Sequence, residues 1–268
     1  MNKYSQYFGF KSEPFTNEIP IKKLLKLPGM VGVKERMDYV IEICGVMVVT
    51  GDVGSGKSTS LRWSHSHHHD SALLKVNILA NSGSIGEFYK QLCWGLDLDI
   101  KSASRSFLLK KFKDTLLEIA ETKKQKIILI IDEAHLLRSE VFAELHILTQ
   151  FENDSKNVAS ILLAGQANLI DRLKYRDCQS LASRVIARTH LGSITRDQME
   201  EYLIHHLKNA GIKKNIFSES AITAIHQGAG GMLRKANSLA KGGLIAAAME
   251  SASLVSSENI RTASTEII

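Results

Sequence analysis

Five short apolar runs punctuate the first two thirds of the chain, at 46–50, 73–78, 127–131, 159–164 and 185–190. Near-continuous runs of Val, Ile and Leu of this length mark strands buried on both faces of a parallel sheet. Between them the apolar positions recur at helical spacing, over 57–64, 85–95, 107–122, 140–151 and 167–173. Strand and helix alternate, which predicts an α/β fold built on a doubly wound, parallel five-stranded sheet. After residue 192 the strands stop. Thr195 and Gln198 stand at capping-box spacing and Gly211 suits a C-terminal cap, so a helix is expected between them. Further helices are expected after Ser218, over 234–249 and from Ser257. The expected division is an N-terminal extension and linker (1–45), an α/β domain (46–194) and a small all-helical domain (195–268).

Composition changes this picture little. With 268 residues, 44% hydrophobic and 23% charged, the chain can build one large core or a medium and a small one. A net charge of +6 and a pI near 9.1 tilt the expectation towards a polyanionic partner. No stretch reaches the ~18 apolar residues that a membrane helix needs, so no membrane partner is expected. The opening "MNKYSQYFGFKSEPF" lacks the apolar centre of a secretory signal. Cys44, Cys93 and Cys178 share no Cys-x-x-Cys spacing and are expected to be reduced thiols of a cytoplasmic protein.

The candidate chemistry begins directly after the first strand. Gly51-Asp52-Val53-Gly54-Ser55-Gly56-Lys57-Ser58 fits G-x-x-x-x-G-K-[ST], with Thr59 next along the helix it opens. Backbone N–H groups must turn inward around phosphates, which a Cβ at the glycines would obstruct. Lys57 offers a point charge to the β- and γ-phosphates of ATP, and the helix N-terminus adds its partial positive charge. The Ser58 hydroxyl can join the shell of Mg²⁺. The run 127–131 then ends in Asp132-Glu133, a pair of carboxylates at the carboxyl edge of the sheet. By itself a strand ending in Asp-Glu is as well read as a solvated strand end. Beside the phosphate loop, Asp132 becomes the second Mg²⁺ ligand and Glu133 the group that orients the attacking water.

Asp132-Glu133-Ala134-His135 spells the label of a helicase class. DEAH helicases resemble one another in carrying two recombinase-like domains, and the chain beyond Glu133 is expected to hold no second one. His135 is expected to be an ordinary polar residue starting a loop or helix. The remaining landmarks resemble the AAA+ ATPases. "ASILLAGQ" ends at the position of sensor 1, giving Gln166; "GAGGMLRKANSLA" is similar to the sensor 2 pattern, giving Arg234, with Leu233 where proline is usual. "LASRVIARTHLGSIT" carries Arg184 and Arg188. More narrowly, "YFGFKSEPF", "LTQFENDSKNVASILLAGQANLIDRL" and "RVIARTHLGSITRDQMEEYLIHHLKNAG" resemble the ExeA/TniB/TnsC branch, MuB-like proteins included, over most of residues 4–250.

That resemblance implies an AAA+ P-loop NTPase with a helical lid, ATP and Mg²⁺ as ligands, and nucleotide bound between neighbouring subunits of a ring or helix, a hexamer or heptamer per turn. An arginine then reaches the next subunit's nucleotide: Arg184, with Arg188 and Arg176 as rivals. Two functions remain open. ExeA-type secretion ATPases continue into a membrane helix and a cell-wall-binding region, whereas TniB/TnsC-type regulators assemble on double-stranded DNA and recruit or activate a transposase. Length favours the second, with a separate target-selection protein as a further partner. The resemblance carries Lys101 and Arg105 over as contacts to the DNA backbone. Lys110, Lys111 and Lys113 beyond them, and the cluster Lys123-Lys124-Gln125-Lys126, are equally read as solvated helix surface. "HSHHHD" (65–70) is denser in imidazole than any role requires, and consecutive side chains diverge, so a solvated helix end is expected there.

Overall fold

The computed structural model describes residues 3–16, 18–151 and 157–266. The chain divides into two compact units: 28–51 with 57–191, and 1–27 with 52–56 and 192–268. The sequence reading set 1–45 apart, but residues 1–27 count with the helical unit and the following helix with the sheet.

The first unit is a five-stranded, all-parallel sheet in the order β2-β3-β4-β1-β5, from β1 (Val46–Gly51), β2 (Leu73–Leu79), β3 (Lys126–Asp132), β4 (Ser160–Gly165) and β5 (Val185–Leu191). The inner strands β1, β3 and β4 carry apolar residues at every interior position but Thr50 because both their faces are covered. Alternate residues of β3 enter opposite cores: Ile127, Leu129 and Ile131 one, Ile128 and Ile130 the other. The expectation of strands buried on both faces fails for β2 and β5. They are the sheet edges: β2 mixes buried and open positions, and β5 alternates half-buried with exposed ones up to Leu191.

Helix α1 (Lys3–Phe8) belongs to the other unit, whereas α2 (Pro28–Ile43) and α3 (Lys57–His65) supply one sheet face with Val33, Met37, Val40 and Leu61. Pro28 opens α2, where its missing N–H costs no hydrogen bond. The opposite face is covered by α4 (Ile85–Trp94), α5 (Arg105–Thr122), α6 (Ser139–Glu144), α7 (Asn168–Leu173) and α8 (Gln179–Ala182). The single helix expected over 140–151 stops at Glu144 and continues as a 3-10 turn, Leu145–Thr149. His146 Nδ1 contacts the Ala143 carbonyl and the Thr149 hydroxyl donates to that of His146. Such side-chain bonds take carbonyls that an α-helix would use.

The second unit packs α1 with α9 (Arg196–Asn209), α10 (Glu219–Ala229), α11 (Leu233–Met249) and α12 (Ser257–Glu266). The Thr195/Gln198 capping box forms as expected. The N-terminal aromatics Tyr4, Phe10 and Phe15 join this core, and Glu13 accepts from Tyr4 and pairs with Lys241 of α11 at 2.8 Å. All three cysteines are free. Among the described residues no helix is long and apolar enough to cross a membrane.

Candidate active site

Register brings the chemistry to one edge. Ile131, Leu163 and Val48 stand abreast, so Asp132, Gln166 and the loop after Gly51 all leave the sheet at its carboxyl edge. In a doubly wound sheet that edge is where ligands bind. Lys57 is the first residue of α3. Its side chain is 6% exposed, and Nζ donates to the Gly51 carbonyl at 2.8 Å. The Ser58 hydroxyl donates to Asp132 Oδ2 at 2.7 Å, while Oδ1 accepts the Glu133 N–H at 2.9 Å. The two expected Mg²⁺ ligands, 74 residues apart in sequence, are therefore already in contact. A cavity of about 320 Å³ opens beside them, lined by Arg62 and His65 of α3 and by Asn77 and Leu79 of β2.

Glu133 adopts left-handed backbone, φ 53° and ψ 32°, and starts the 3-10 turn Ala134–Leu136. Its Oε2 lies 3.4 Å from His135 Nδ1. Gln166 directly follows β4, and its backbone N–H points at the same Nδ1 at 3.4 Å. His135 is the middle residue of that turn and is no ordinary polar residue: its side chain is 7% exposed and lies between Glu133 and the end of β4. The position in the Asp-Glu-Ala-His stretch was the only available signal, and it named no contact.

In the helical unit, Gly54 and Gly56 have φ of 85° and 94°. A Cβ at Gly54 would stand 2.8 Å from Arg234 Cβ, and the Arg234 N–H donates to the Gly54 carbonyl at 3.2 Å. Arg234, near the N-terminus of α11, thus meets the tip of the phosphate loop through its backbone, with its side chain exposed. Among the described residues the Ser55 hydroxyl is buried without a hydrogen-bond partner. In the sheet unit a buried lysine and a hydroxyl–carboxylate pair fit phosphate and Mg²⁺; in the other unit positive-φ glycines and an orphaned hydroxyl fit a phosphate. Asp52, Val53 and Thr59 complete the motif; Asp52 and Val53 are exposed and Thr59 half-buried.

Five candidates lie elsewhere. Arg184 immediately precedes β5, and its carbonyl accepts from Val46 at the start of β1, so it marks the amino edge of the sheet. Arg188 is exposed within β5, and Arg176 is exposed in the 3-10 turn Arg176–Cys178. Lys101 is exposed in the connection between α4 and α5. Arg105, the first residue of α5, is 52% exposed and ion-paired with Glu144, which also accepts from Tyr89 at 2.9 Å. Lys111 and Lys113 are engaged, by the Asp99 and Gln150 carbonyls respectively, and burial lowers the Lys113 pKa. The cluster at 123–126 sits at the far end of α5, whose 18 residues span about 27 Å. His68 pairs with Asp38 at 2.8 Å, Asp70 pairs with Lys75, and His67 packs on Trp63. Among the described residues no group of His, Cys, Asp and Glu is placed to hold a metal ion.

Comparison with known proteins adds to this geometry. The family model described as AAA domain matches residues 41–173. General secretion pathway protein A of Aeromonas hydrophila is 29% identical over 247 residues, 91% of this chain and 45% of that protein. The chain thus spans less than half the length of that curated relative. Cdc6p from Pyrobaculum aerophilum superposes with a TM-score of 0.73 at 16% identity, over 95% of this chain and 70% of that one. The Aeropyrum pernix ORC1 protein in complex with DNA gives 0.69 at 15%, over 93% and 68%. At such identities the structural likeness speaks for the fold alone. Residues 41–173 match the AAA domain model, and the chain carries a fold like that of the AAA+ P-loop NTPases.

Proposed function

We propose that the protein is an ATP-dependent switch that assembles with copies of itself on double-stranded DNA, recruits or activates a transposase there, and comes apart on hydrolysis. The observation that carries the nucleotide half is the Ser58–Asp132 pair beside buried Lys57, with Glu133 next in the chain. The loop amides and Lys57 bind the phosphates, and Glu133 orients a water for in-line attack on the γ-phosphate. Mg²⁺ held by Ser58 and Asp132 would neutralise charge that develops on the phosphate oxygens. Gln166 and Arg234 take the sensor roles that the resemblance assigns them.

Self-assembly is supported by the place of Arg184. A parallel strand of six residues separates it from the phosphate loop, about 17 Å at the rise of a β-strand. Arg184 therefore serves a neighbour's nucleotide, where a guanidinium stabilises transition-state charge. Loss of the γ-phosphate removes that contact and releases the interface. DNA as the platform is supported by exposed Lys101, by the net charge of +6, and by a fold shared with a protein solved in complex with DNA. Contacts from this surface go to phosphates, so target choice falls to a partner protein.

A second reading has its own observation. The 29% identity to General secretion pathway protein A covers 91% of the chain, and in a secretion ATPase the same switch would run without DNA. Electron microscopy of the purified chain with long duplex DNA separates the two, in ATP, ADP or a non-hydrolysable analogue. Rings or filaments on DNA in ATP, absent in ADP and with Lys57→Ala, support the transposition reading. Indifference to DNA at low salt under every nucleotide condition sinks it in favour of the secretion-like switch.

A further inference from the structure

His135 has no part in the chemistry assigned to the two carboxylates before it, yet its imidazole is almost fully enclosed, 7% exposed. The 3-10 turn that carries it packs on β4 and α7. Nδ1 faces two groups at once. Glu133 Oε2 lies 3.4 Å from it, and the backbone N–H of Gln166 points at it with a separation of 3.4 Å. Both are longer than the ~2.9 Å of a settled hydrogen bond. A ring nitrogen has one in-plane position, which holds either a proton or a lone pair. With the proton there, Nδ1 donates to the Glu133 carboxylate and cannot accept the Gln166 amide. With the lone pair there, it accepts the amide and repels the carboxylate oxygen. The two bonds exclude each other.

The surroundings keep the residue between its claimants. Arg172 Nη1 donates to the His135 carbonyl at 2.6 Å, with the guanidinium 5.0 Å over the Phe142 ring. Gly165 backs the imidazole so closely that a Cβ there would stand 3.2 Å from Nδ1. The charged groups facing His135 are Glu133 from its own turn and Arg172 from α7. Asp171 of α7 is exposed and paired with Lys174, and β4 brings no ionisable side chain.

We propose that His135 is a positioning residue whose Nδ1 alternates between the Glu133 carboxylate and the Gln166 amide, so that the end of β4 sets whether Glu133 is free to orient water. This rests on the reading that the site hydrolyses ATP. While the ring donates to Glu133, the carboxylate is held away from the water. When the end of β4 claims Nδ1, the carboxylate is released. Gln166 is the residue assigned to sense the γ-phosphate, so a shift at that phosphate reaches Glu133 through one nitrogen.

The test compares His135→Asn, His135→Gln and His135→Leu in the full chain, with and without duplex DNA. It reads kcat and KM for Mg-ATP hydrolysis, affinity for a fluorescent ATP analogue, and thermal melting. Asn places a polar atom where Nδ1 stands, whereas Gln reaches only to the place of Nε2. The expected result is that Leu and Gln hold KM and analogue affinity within about threefold while kcat rises severalfold, because nothing then holds the Glu133 carboxylate back, and that Asn keeps kcat near the wild-type value. Wild-type or lower turnover in the Leu and Gln variants overturns the proposal. Turnover, affinity and melting temperature that fall together mark a packing residue and overturn it as well. If the wild type hydrolyses no nucleotide in either condition, the hydrolysis reading itself falls and takes this inference with it.

Discussion

Glu133 holds left-handed backbone at the end of a fully paired strand, a conformation that costs a non-glycine residue on the order of 1 kcal/mol. The gain is direction: the main chain turns so that Asp132 stays against Ser58 while Glu133 aims elsewhere. Glu133→Gln is expected to keep nucleotide affinity and lower turnover by about 10²- to 10³-fold, read as phosphate release against equilibrium binding. His206 poses a different question. It is stacked on Phe15 at 5.2 Å and packed against Tyr202, and burial, helped by neighbouring His205, pushes its pKa from 6.5 down to about 4. Above pH 6.5 the ring is neutral in both the folded and unfolded chain. Between about 6.5 and 4 the unfolded chain takes up a proton that the folded one refuses, so stability falls as pH drops through that window. By pH 4 the loss is on the order of 3 kcal/mol. Urea melts from pH 7 to 4.5 should show it, and His206→Leu should flatten the acid side of the curve. Lys57, Ser58 and Asp132 were legible from motif spacing, because phosphate and Mg²⁺ dictate residue types. His135 was not, since its role lies in contacts across 31 residues of sequence.

Among the elements, the inner strands were legible because burial on both faces leaves no room for polar side chains. Leu129 shows the scale: cutting such a core leucine to alanine costs about 2–5 kcal/mol. The edge strands were misread as fully buried, although Lys75 and Asn77 in β2 and Arg188 and His190 in β5 already alternate with apolar neighbours. Helix α2 was passed over as linker. Gly29 and Gly32 lower its local propensity, and it owes its order to packing Met30, Val33, Met37 and Val40 on the sheet. Helix α5 holds Lys101 and Arg105 apart from the cluster at 123–126, so these two groups do not act as one patch. If the Lys101 end is the DNA contact, Lys101→Glu should lower the slope of log affinity against log salt by about 1, with no change in sequence preference. Fluorescence anisotropy across a salt series would measure it; an unchanged slope would remove Lys101 from the interface. Arg105→Ala should also loosen the α5–α6 contact through Glu144, so its effect on DNA must be read beside a melting curve.

At the scale of the whole molecule, Arg184 and the phosphate loop occupy opposite edges of one sheet. Arg184→Ala is expected to retain ATP binding and lose turnover by about 10³-fold. Mixing it with Glu133→Gln should recover part of the activity, because mixed interfaces rejoin an intact Glu133 to an intact arginine. No recovery on mixing, with both chains able to assemble, would move the assignment to Arg188 or Arg176. The amino-acid sequence by itself determined the alternation of strand and helix, the phosphate loop, the Asp132–Glu133 pair and the helical region after residue 192. These are local or periodic features, set by hydrophobic spacing and by the few residue types that phosphate and metal accept. Tertiary structure alone decided that residues 1–27 pack with the helical unit, that Arg105 is spent on Glu144, that Arg184 enters the sheet at its amino edge, and that His135 lies between Glu133 and Gln166. Each of these depends on which distant segments the sheet order and the core bring together, and no window of sequence contains that information.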